Sequence, residues 1–439
     1  MKSTADEQPL HVLFITYYWP PSGGAGVQRS LKFVKYLSQF NILPTVLTVN
    51  EAEASYAVLD PSLLAEVPKE VPVHRTSTSE PFGLYKKITG QKEIPHGGFA
   101  NKEEKGLAQK LFQFVRGNLF VPDARVGWNR HALRKCKELL QSQHFDAVIT
   151  SSPPHSTQLI GLTLQKKYQL RWIADLRDPW TDIYYYDELQ HLALTRSLDA
   201  AYEKKVLQGC DAMLVVSPDM KRLFANKSPQ INAEKIHVVP NGFDEDDFIY
   251  PSSPPENEFR ITYTGTVSEA YNIEMFFKAL AAVRSRYPDI RYRLQFVGTV
   301  SEPVRRQIQA AGLEDITDLV GYVPHQESVR YLAQSTLLLM AIPDVPNNFG
   351  ILTGKLFEYL ASNKPIVCIG PIQSDADRII DECGAGRVFH YTGFELILDH
   401  LDLMSKSWKI NPNLDLPLIN YQQYSRRSLT EQLAKLIRG

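Results

Sequence analysis

Residues 11–26, His-Val-Leu-Phe-Ile-Thr-Tyr-Tyr-Trp-Pro-Pro-Ser-Gly-Gly-Ala-Gly, narrow the possible folds more than any other part of the chain. Residues 12–15 form an apolar run of strand length. A Pro/Gly loop ends it, and an amphipathic helix follows from about Val27. A strand passed through a short loop into a helix is the building unit of parallel α/β sheets. Such sheets bind ligands at the carboxyl ends of their strands, where this loop falls. Gly23, Gly24 and Gly26 lack a Cβ, so their N–H groups can approach an anion closely. The following helix points its positive end at the same place, and a phosphate-bearing ligand is the expectation. Many strand-to-helix turns bind nothing, so the loop alone does not establish a site.

The unit recurs along the chain. Strand-like runs are expected at 12–16, 45–49, 147–150, 172–175 and 212–216, with helices at 30–39 and 156–168 among them. The pattern restarts after Pro251-Ser-Ser-Pro-Pro255, which reads as a linker. Strands are then expected at 260–264, 292–297, 318–320, 337–341 and 365–369. Helices fall near 273–287, 302–311, 329–333 and 355–361, and a last one at 425–437 carries Leu429, Leu433, Leu436 and Ile437 at helical spacing. With 439 residues there is chain enough for two α/β domains with full cores.

Composition excludes several functions. The net charge of −1 gives no bulk drive toward nucleic acid. Four scattered cysteines, Cys136, Cys210, Cys368 and Cys383, have no metal-ligand spacing and read as reduced thiols of a cytoplasmic protein. No signal peptide and no apolar run of transmembrane length is read. The region from about 81 to 140 breaks the α/β rhythm. Residues 84–137 hold twelve Lys/Arg and four acids, with Leu107, Leu111, Phe112, Phe114, Val115, Leu119 and Phe120 among them. Such a stretch fits either an anionic membrane surface or a surface insertion packed on its own domain.

The second half carries the stronger chemical signal. Residues 349–367, Phe-Gly-Ile-Leu-Thr-Gly-Lys-Leu-Phe-Glu-Tyr-Leu-Ala-Ser-Asn-Lys-Pro-Ile-Val, read as loop, helix, turn and strand. Thr353 is a good N-cap, leaving N–H groups of Gly354 and Lys355 facing the loop. A lysine at a helix start opposes the macrodipole, and a bound diphosphate would resolve that conflict. Glu358 lies one turn on, where a carboxylate can accept hydrogen bonds from the two hydroxyls of a ribose. The alternative is an exposed Lys355–Glu358 pair of little worth.

These segments together resemble the GT-B-fold glycosyltransferases of the retaining family 4. The resemblance covers nearly the whole chain. It rests on the opening strand with Pro-Pro-Ser-Gly-Gly-Ala-Gly and on residues 172–180 (Trp-Ile-Ala-Asp-Leu-Arg-Asp-Pro-Trp). It also rests on 239–244 (Val-Pro-Asn-Gly-Phe-Asp), 354–361 (Gly-Lys-Leu-Phe-Glu-Tyr-Leu-Ala) and the closing helix after Tyr424-Ser-Arg-Arg427. It implies two Rossmann-like domains facing across a cleft: an acceptor domain over 1–245, a nucleotide-sugar domain over 256–415, and a helix at 424–439 crossing back. It further implies that Glu358 binds the ribose, and that Thr353, Gly354 and Lys355 hold the diphosphate. Gly23, Gly24, Ala25 and Gly26 would approach the β-phosphate or the sugar. Gly265, Gly298 and Tyr322, at strand ends of the second half, complete the donor set, the last two where the base is commonly packed. His155 lies at one strand end of the first half, and Asp175, Arg177 and Asp178 at another. His155, Asp175 and Asp178 are the catalytic candidates, and one of these groups is expected to meet the sugar or the acceptor hydroxyl. Arg177 is counted with the donor.

Two departures stand out. Family members often carry a glutamate eight residues before the ribose-binding one, where this chain has Gly350. They also often carry an Arg and a Lys after the first strand of the second domain, and residues 264–272 supply neither. The implied reaction moves a glycosyl unit from a nucleoside-diphosphate sugar to a hydroxyl of a lipid-linked or glycan acceptor, at the inner face of the membrane. Lysine and N–H donors would stabilise the leaving diphosphate, with no cofactor and no metal. Asp244-Glu-Asp-Asp247 is read as a solvated linker rather than a metal site. A nucleotide-sugar epimerase on the same fold and a non-catalytic nucleotide-sugar-binding subunit are the alternatives.

Overall fold

The computed structural model describes residues 8–56, 58–80, 114, 117–189, 191–248 and 254–439. They divide into two compact units, one running to Pro240 and including Arg426–Gly439, the other Asn241–Ser425. Residues 251–253 of the linker read at Pro251–Pro255, and most of the basic stretch, 81–113 with 115 and 116, lie outside the described residues.

The first unit is built on a parallel sheet of seven strands. They are β1 (Leu10–Thr16), β2 (Ile42–Val49), β3 (Val73–Thr76), β4 (Ala147–Ser152), β5 (Trp172–Leu176), β6 (Ala212–Val215) and β7 (Ile236–Val238), in the order β3-β2-β1-β4-β5-β6-β7. Its described helices are α1 (Ala25–Leu37), α2 (Asn129–Ser142), α3 (Ser156–Tyr168), α4 (Ala193–Gly209) and α5 (Pro218–Asn226). Central strands of a parallel sheet are covered on both faces, and Val12, Leu13, Phe14 and Ile15 are all fully buried. The chain runs outward from β1 to β3 and returns beside β1 as β4. The order therefore reverses between β1 and β4, and the loops after these two strands flank the crevice where such sheets bind ligands.

The second unit repeats the plan with β8 (Phe259–Thr264), β9 (Tyr292–Val297), β10 (Thr317–Leu319), β11 (Leu337–Ala341), β12 (Ile366–Ile369) and β13 (Gly386–Phe389). Its order is β10-β9-β8-β11-β12-β13, so its reversal lies between β8 and β11. Its helices are α6 (Glu274–Arg286), α7 (Glu302–Ala310), α8 (His325–Ala333), α9 (Gly354–Ala361), α10 (Asp375–Glu382) and α11 (Phe394–Ile410). The last helix, α12 (Arg426–Arg438), belongs to the first unit. Leu429, Leu433 and Ile437 share a buried cluster there with Val27, Leu31 and Val34 of α1.

Two boundaries differ from the sequence reading. Residues 129–142 are not part of an irregular insertion: they form α2, which buries Ala132, Cys136 and Leu139 and leads into β4. Residues 241–245 pack with the second unit, where the Phe243 N–H donates to the Tyr424 carbonyl at 3.1 Å and its ring stacks on Tyr421.

A fully buried ion pair anchors the first sheet. Arg29 of α1 and Asp175 of β5 meet at 2.8 Å, the Ser151 hydroxyl donates to the same carboxylate at 2.8 Å, and Arg29 Nη1 donates to the Pro240 carbonyl at 2.6 Å. Breaking a buried pair strands the remaining charge. Arg29→Ala is expected to lower unfolding free energy by about 3–5 kcal/mol, read from urea denaturation. A loss under about 1 kcal/mol would show that water reaches the pair.

Candidate active site

At the carboxyl edge of the first sheet, three loops converge. The loop after β1 is fixed by the Gly23 N–H, which donates to the Val58 carbonyl at 2.9 Å. That N–H is therefore spent inside the fold, which corrects the expectation that Gly23 offers it to a phosphate. Gly24 takes φ +85 and caps α1 without any side-chain bond, a conformation that suits glycine. The helix leaves the N–H groups of Ala25 and Gly26 in its first turn without intrahelical partners. The Gly26 carbonyl accepts from Arg177 Nη1 at 2.6 Å.

Of the candidates after β5, two are consumed by the scaffold. Asp175 is wholly buried against Arg29 and Ser151, so it is a structural carboxylate and not a catalytic one. Arg177 is held by carbonyls, its Nε at 2.9 Å from Ser152 O, in addition to the bond to Gly26. It ties the loops after β1, β4 and β5 together. Asp178 makes no side-chain hydrogen bond among the described residues, and burial raises its carboxyl above the usual range against the pull of Arg177. It is a carboxyl at this edge that the scaffold's hydrogen bonds do not consume among the described residues.

His155 precedes α3, whose first N–H is capped from a distance by Asp123 at 2.7 Å. Its ring stacks on Trp180 with centroids 4.6 Å apart, and its Nδ1 is enclosed without a partner. Burial drives its pKa down to about 3, with Arg177 and Lys227 adding to the effect. It is thus a neutral imidazole across the physiological range, a hydrogen-bonding group and not an ammonium-like acid. Trp180 itself sits at φ +43, rare for a bulky residue. Its Nε1 donates to Asp199 Oδ1 at 2.8 Å, and Tyr186 donates to the other oxygen at 2.7 Å. Strained residues of this kind persist where their surroundings over-determine them.

In the second unit the loop after β8 meets the start of α9. Gly265 has φ +90, and a Cβ there would lie 2.5 Å from Lys355 Cε. The lysine crosses the space that glycine leaves. Its Nζ donates to Tyr263 OH at 2.7 Å and lies 4.4 Å from that ring's centroid. Lys355 thus reaches the loop that lacks the expected Arg and Lys. Gly298, at φ +139, is needed because a Cβ would meet the Gly265 carbonyl at 2.3 Å. Its position serves loop packing, while Tyr322 stands exposed at the end of the loop after β10.

Thr353 occupies the N-cap position of α9 in extended geometry but makes no capping bond, and its Oγ1 is enclosed and unpartnered. Gly354 faces open space where a Cβ would be. A threonine hydroxyl, first-turn N–H groups and an ammonium therefore converge at one helix start, the arrangement that receives phosphate oxygens. Glu358, one turn on, lies 3.9 Å from His325 Nδ1, and His325 Nε2 is 3.0 Å from Asp247. Asp247, read as linker from sequence, is engaged in this chain of groups. His325, Tyr263, Trp180 and Asp199 were not singled out by sequence. A histidine following Pro324 at a helix start was the one available signal.

Two family models match the chain in succession: Glycosyltransferase Family 4 over residues 95–247 and Glycosyl transferases group 1 over 244–414. No curated protein sequence matches it. Among solved structures, a sucrose-phosphate synthase from Thermosynechococcus elongatus matches at 13% identity and a TM-score of 0.59, covering 98% of each chain. HepE from Anabaena, solved in complex with UDP-glucose, matches at 13% identity and 0.58, covering 98% of this chain and 99% of its own. The lipopolysaccharide outer core galactosyltransferase WaaB matches at 13% and 0.57, covering 98% and 100%. Two parallel α/β units with these matches define a GT-B-fold glycosyltransferase. Within that class the chain belongs to the family 4 type.

The lowered pKa of Lys355, about 7 through burial with Glu358 pulling the other way, has a stability consequence. The unfolded chain holds this proton up to the ordinary lysine range, so the penalty is complete below pH 7 and fades as pH rises toward 10. Lys355→Met should therefore be more stable than the parent at pH 6–7, with the difference vanishing near pH 10. Equal denaturation midpoints throughout would show an unburied ammonium.

Proposed function

We propose that this protein transfers a glycosyl unit from a nucleoside-diphosphate sugar to an acceptor hydroxyl in the assembly of a surface polysaccharide or glycoconjugate. The observation that carries the reading is the convergence of the unpartnered Thr353 hydroxyl, the first turn of α9 and Lys355 at the reversal of the second sheet. Two negative charges placed there would meet fixed donors in a site already shaped for them. The structure of HepE in complex with UDP-glucose supports a nucleotide-sugar donor here by analogy of fold.

The chemistry follows from these groups. The bond between the sugar's anomeric carbon and the phosphate oxygen breaks, and the departing diphosphate carries the negative charge. Lys355 and the N–H groups of Gly354 and Lys355 stabilise that charge without a metal. Glu358 accepts hydrogen bonds from the ribose hydroxyls. The acceptor oxygen forms the new bond to carbon and passes its proton to the departing diphosphate oxygen. His155, neutral, and Asp178, with its raised carboxyl, are the groups of the first unit offered to the sugar or the acceptor. We take the outcome as retention, as the family resemblance implies, and the setting as the cytoplasm. A lipid-linked acceptor at the inner membrane face fits the basic stretch of residues 84–137.

Melting of the pure protein against UDP-, GDP- and ADP-sugars tests this. A ligand at a hundredfold excess over its Kd adds about 2.7 kcal/mol to the folded state. One base family should raise the melting point equally with Mg²⁺ or with EDTA. Glu358→Ala should weaken that donor tenfold or more in calorimetry, the loss of a charged hydrogen bond worth about 1.5–3 kcal/mol. Binding should also weaken as pH rises above 7, because the diphosphate pairs with protonated Lys355. No shift with any nucleotide sugar would overturn the reading, and a changed sugar recovered without acceptor would make the protein an epimerase.

A further inference from the structure

Helix α4 turns both of its acids inward. Asp199 and Glu203, four residues apart on one face, are each only 2% exposed. A buried carboxylate is costly unless hydrogen-bond donors satisfy it. Here Asp199 Oδ1 accepts from Trp180 Nε1 at 2.8 Å, and its Oδ2 accepts from the Tyr186 hydroxyl at 2.7 Å. Glu203 accepts from the Thr181 hydroxyl at 2.6 Å, from the Thr181 N–H at 3.4 Å and from Lys227 Nζ at 2.6 Å. The two acids spend most of their bonds on one short segment beside the candidate site, and the transfer chemistry uses neither of them directly.

What they hold is a loop. The Asp199 carboxylate alone closes residues 180–186 at both ends, through Trp180 and Tyr186. Glu203 fixes Thr181, the residue after Trp180. Trp180 needs this support, because φ +43 is a backbone conformation that a bulky residue rarely adopts. Its indole is held from Asp199 and its backbone from the next residue along.

Two candidate groups depend on where Trp180 lies. Its indole is nearly parallel to the His155 ring, with 15° between the planes and 4.6 Å between centroids. His155 Nδ1 is enclosed without a hydrogen-bond partner. The stack therefore sets the ring plane where a hydrogen bond to Nδ1 does not, and Nε2 is left to meet a substrate. Asp178 lies two residues before Trp180, across Pro179 with its restricted φ, so a shift of the tryptophan carries this carboxyl with it.

We propose that Asp199 is a positioning residue of the transfer reaction, holding His155 and Asp178 through the Trp180 indole at the geometry in which they meet the sugar or the acceptor. This rests on the reading of those two groups as the reactive side of the first unit. Asp199 touches neither substrate nor reacting atom. Its part is shape and not charge: an amide of the same size can accept from the indole with its oxygen and donate to the tyrosine oxygen with its nitrogen.

The test is NMR of the full-length protein labelled at histidine Cε1. The chain has 11 histidines, and His155→Gln identifies the His155 signal by its loss. In the parent that signal should be shifted upfield by the facing indole. It should not titrate across the physiological range, because burial holds the pKa at about 3. Asp199→Ala should abolish the upfield shift and bring the pKa toward about 6.5, as the ring leaves the stack. Asp199→Asn should keep both features. Asp199→Leu, close in size to the parent side chain and uncharged, makes the same test as alanine if the smaller variant fails to fold. Leu433→Ala of α12 loosens the core elsewhere in the unit and should leave the signal in place, which separates positioning from general destabilisation. In turnover of UDP-, GDP- or ADP-glucose, Asp199→Ala should lower kcat about tenfold or more with the donor KM within about twofold, because the nucleotide groups belong to the other unit. Asp199→Asn should recover most of that loss. An unchanged His155 signal in the alanine and leucine variants overturns the proposal, as does an asparagine variant that behaves like the alanine one. Absence of turnover in the parent would instead remove the transferase reading, and the histidine signal would still decide whether Asp199 places His155.

Discussion

The Arg29–Asp175 pair sets the geometry on which the first unit depends. A charge with no exposed atom must be satisfied completely, and here that demand fixes four separate parts of the chain. Arg29 brings α1, Asp175 brings β5, Ser151 brings the end of β4, and the Pro240 carbonyl brings the end of the first segment of the unit. Two residues beyond Asp175, Arg177 repeats the pattern one layer nearer the edge, joining Gly26 to Ser152. The two arginines lock the loops after β1, β4 and β5 to one another. His155 and Asp178 therefore project from a rigid frame, which is the condition for catalytic or binding groups to act without reorganisation.

The second unit solves the equivalent problem with space instead of charge. Gly298 lets the Gly265 carbonyl approach, and Gly265 in turn lets the Lys355 stem cross it. The amine arrives against the Tyr263 ring and hydroxyl, with no carboxylate contact among the described residues as close as that of Arg29, and burial lowers its pKa to about 7. The lysine is thus held in place, its charge present at and below neutral pH and lost above it. A carboxylate contact as close as that of Arg29 would have consumed it. The contrast separates the two arginines, which are bonded to the frame on several sides, from the lysine, which meets a phenol and a carbonyl.

Burial decides what could be read from the sequence. β9 and β11 run over the residues expected of them, since continuous apolar runs leave little choice of boundary. β3 and β13 carry exposed residues, and β3, β7 and β13 lie at the sheet edges or are three or four residues long, so no run marks them. The first half of α4 is hidden for another reason: its buried residues there, Thr195, Asp199 and Glu203, are polar, and apolar Val206 and Leu207 are buried only toward its end. In the candidate site, Lys355 was legible because a lysine at a helix start contradicts the macrodipole. Asp175 was misread because its partner lies 146 residues earlier, a pairing no local pattern records. Tyr263 and Trp180 are buried aromatics, and their contacts with Lys355 and His155 depend on neighbours brought in by the fold.

Gly350 is best understood through the loop that contains it. After β11 the chain turns at Asn347, in left-handed geometry at φ +57. The buried Asn348 side chain then binds the Pro343 carbonyl at 3.0 Å and Tyr391 OH at 3.1 Å. Tyr391 also donates to the Ile342 carbonyl at 3.1 Å. The approach to α9 is shaped by this amide and phenol, while Asp344 earlier in the loop accepts from the Asn272 amide at 3.3 Å. A glycine at 350 costs the loop nothing in support. It does remove a negative charge from the entrance of a site whose remaining features, Thr353, the first turn of α9 and Lys355, all favour anions. With one acid fewer to oppose, a single lysine can serve where two basic residues are otherwise usual.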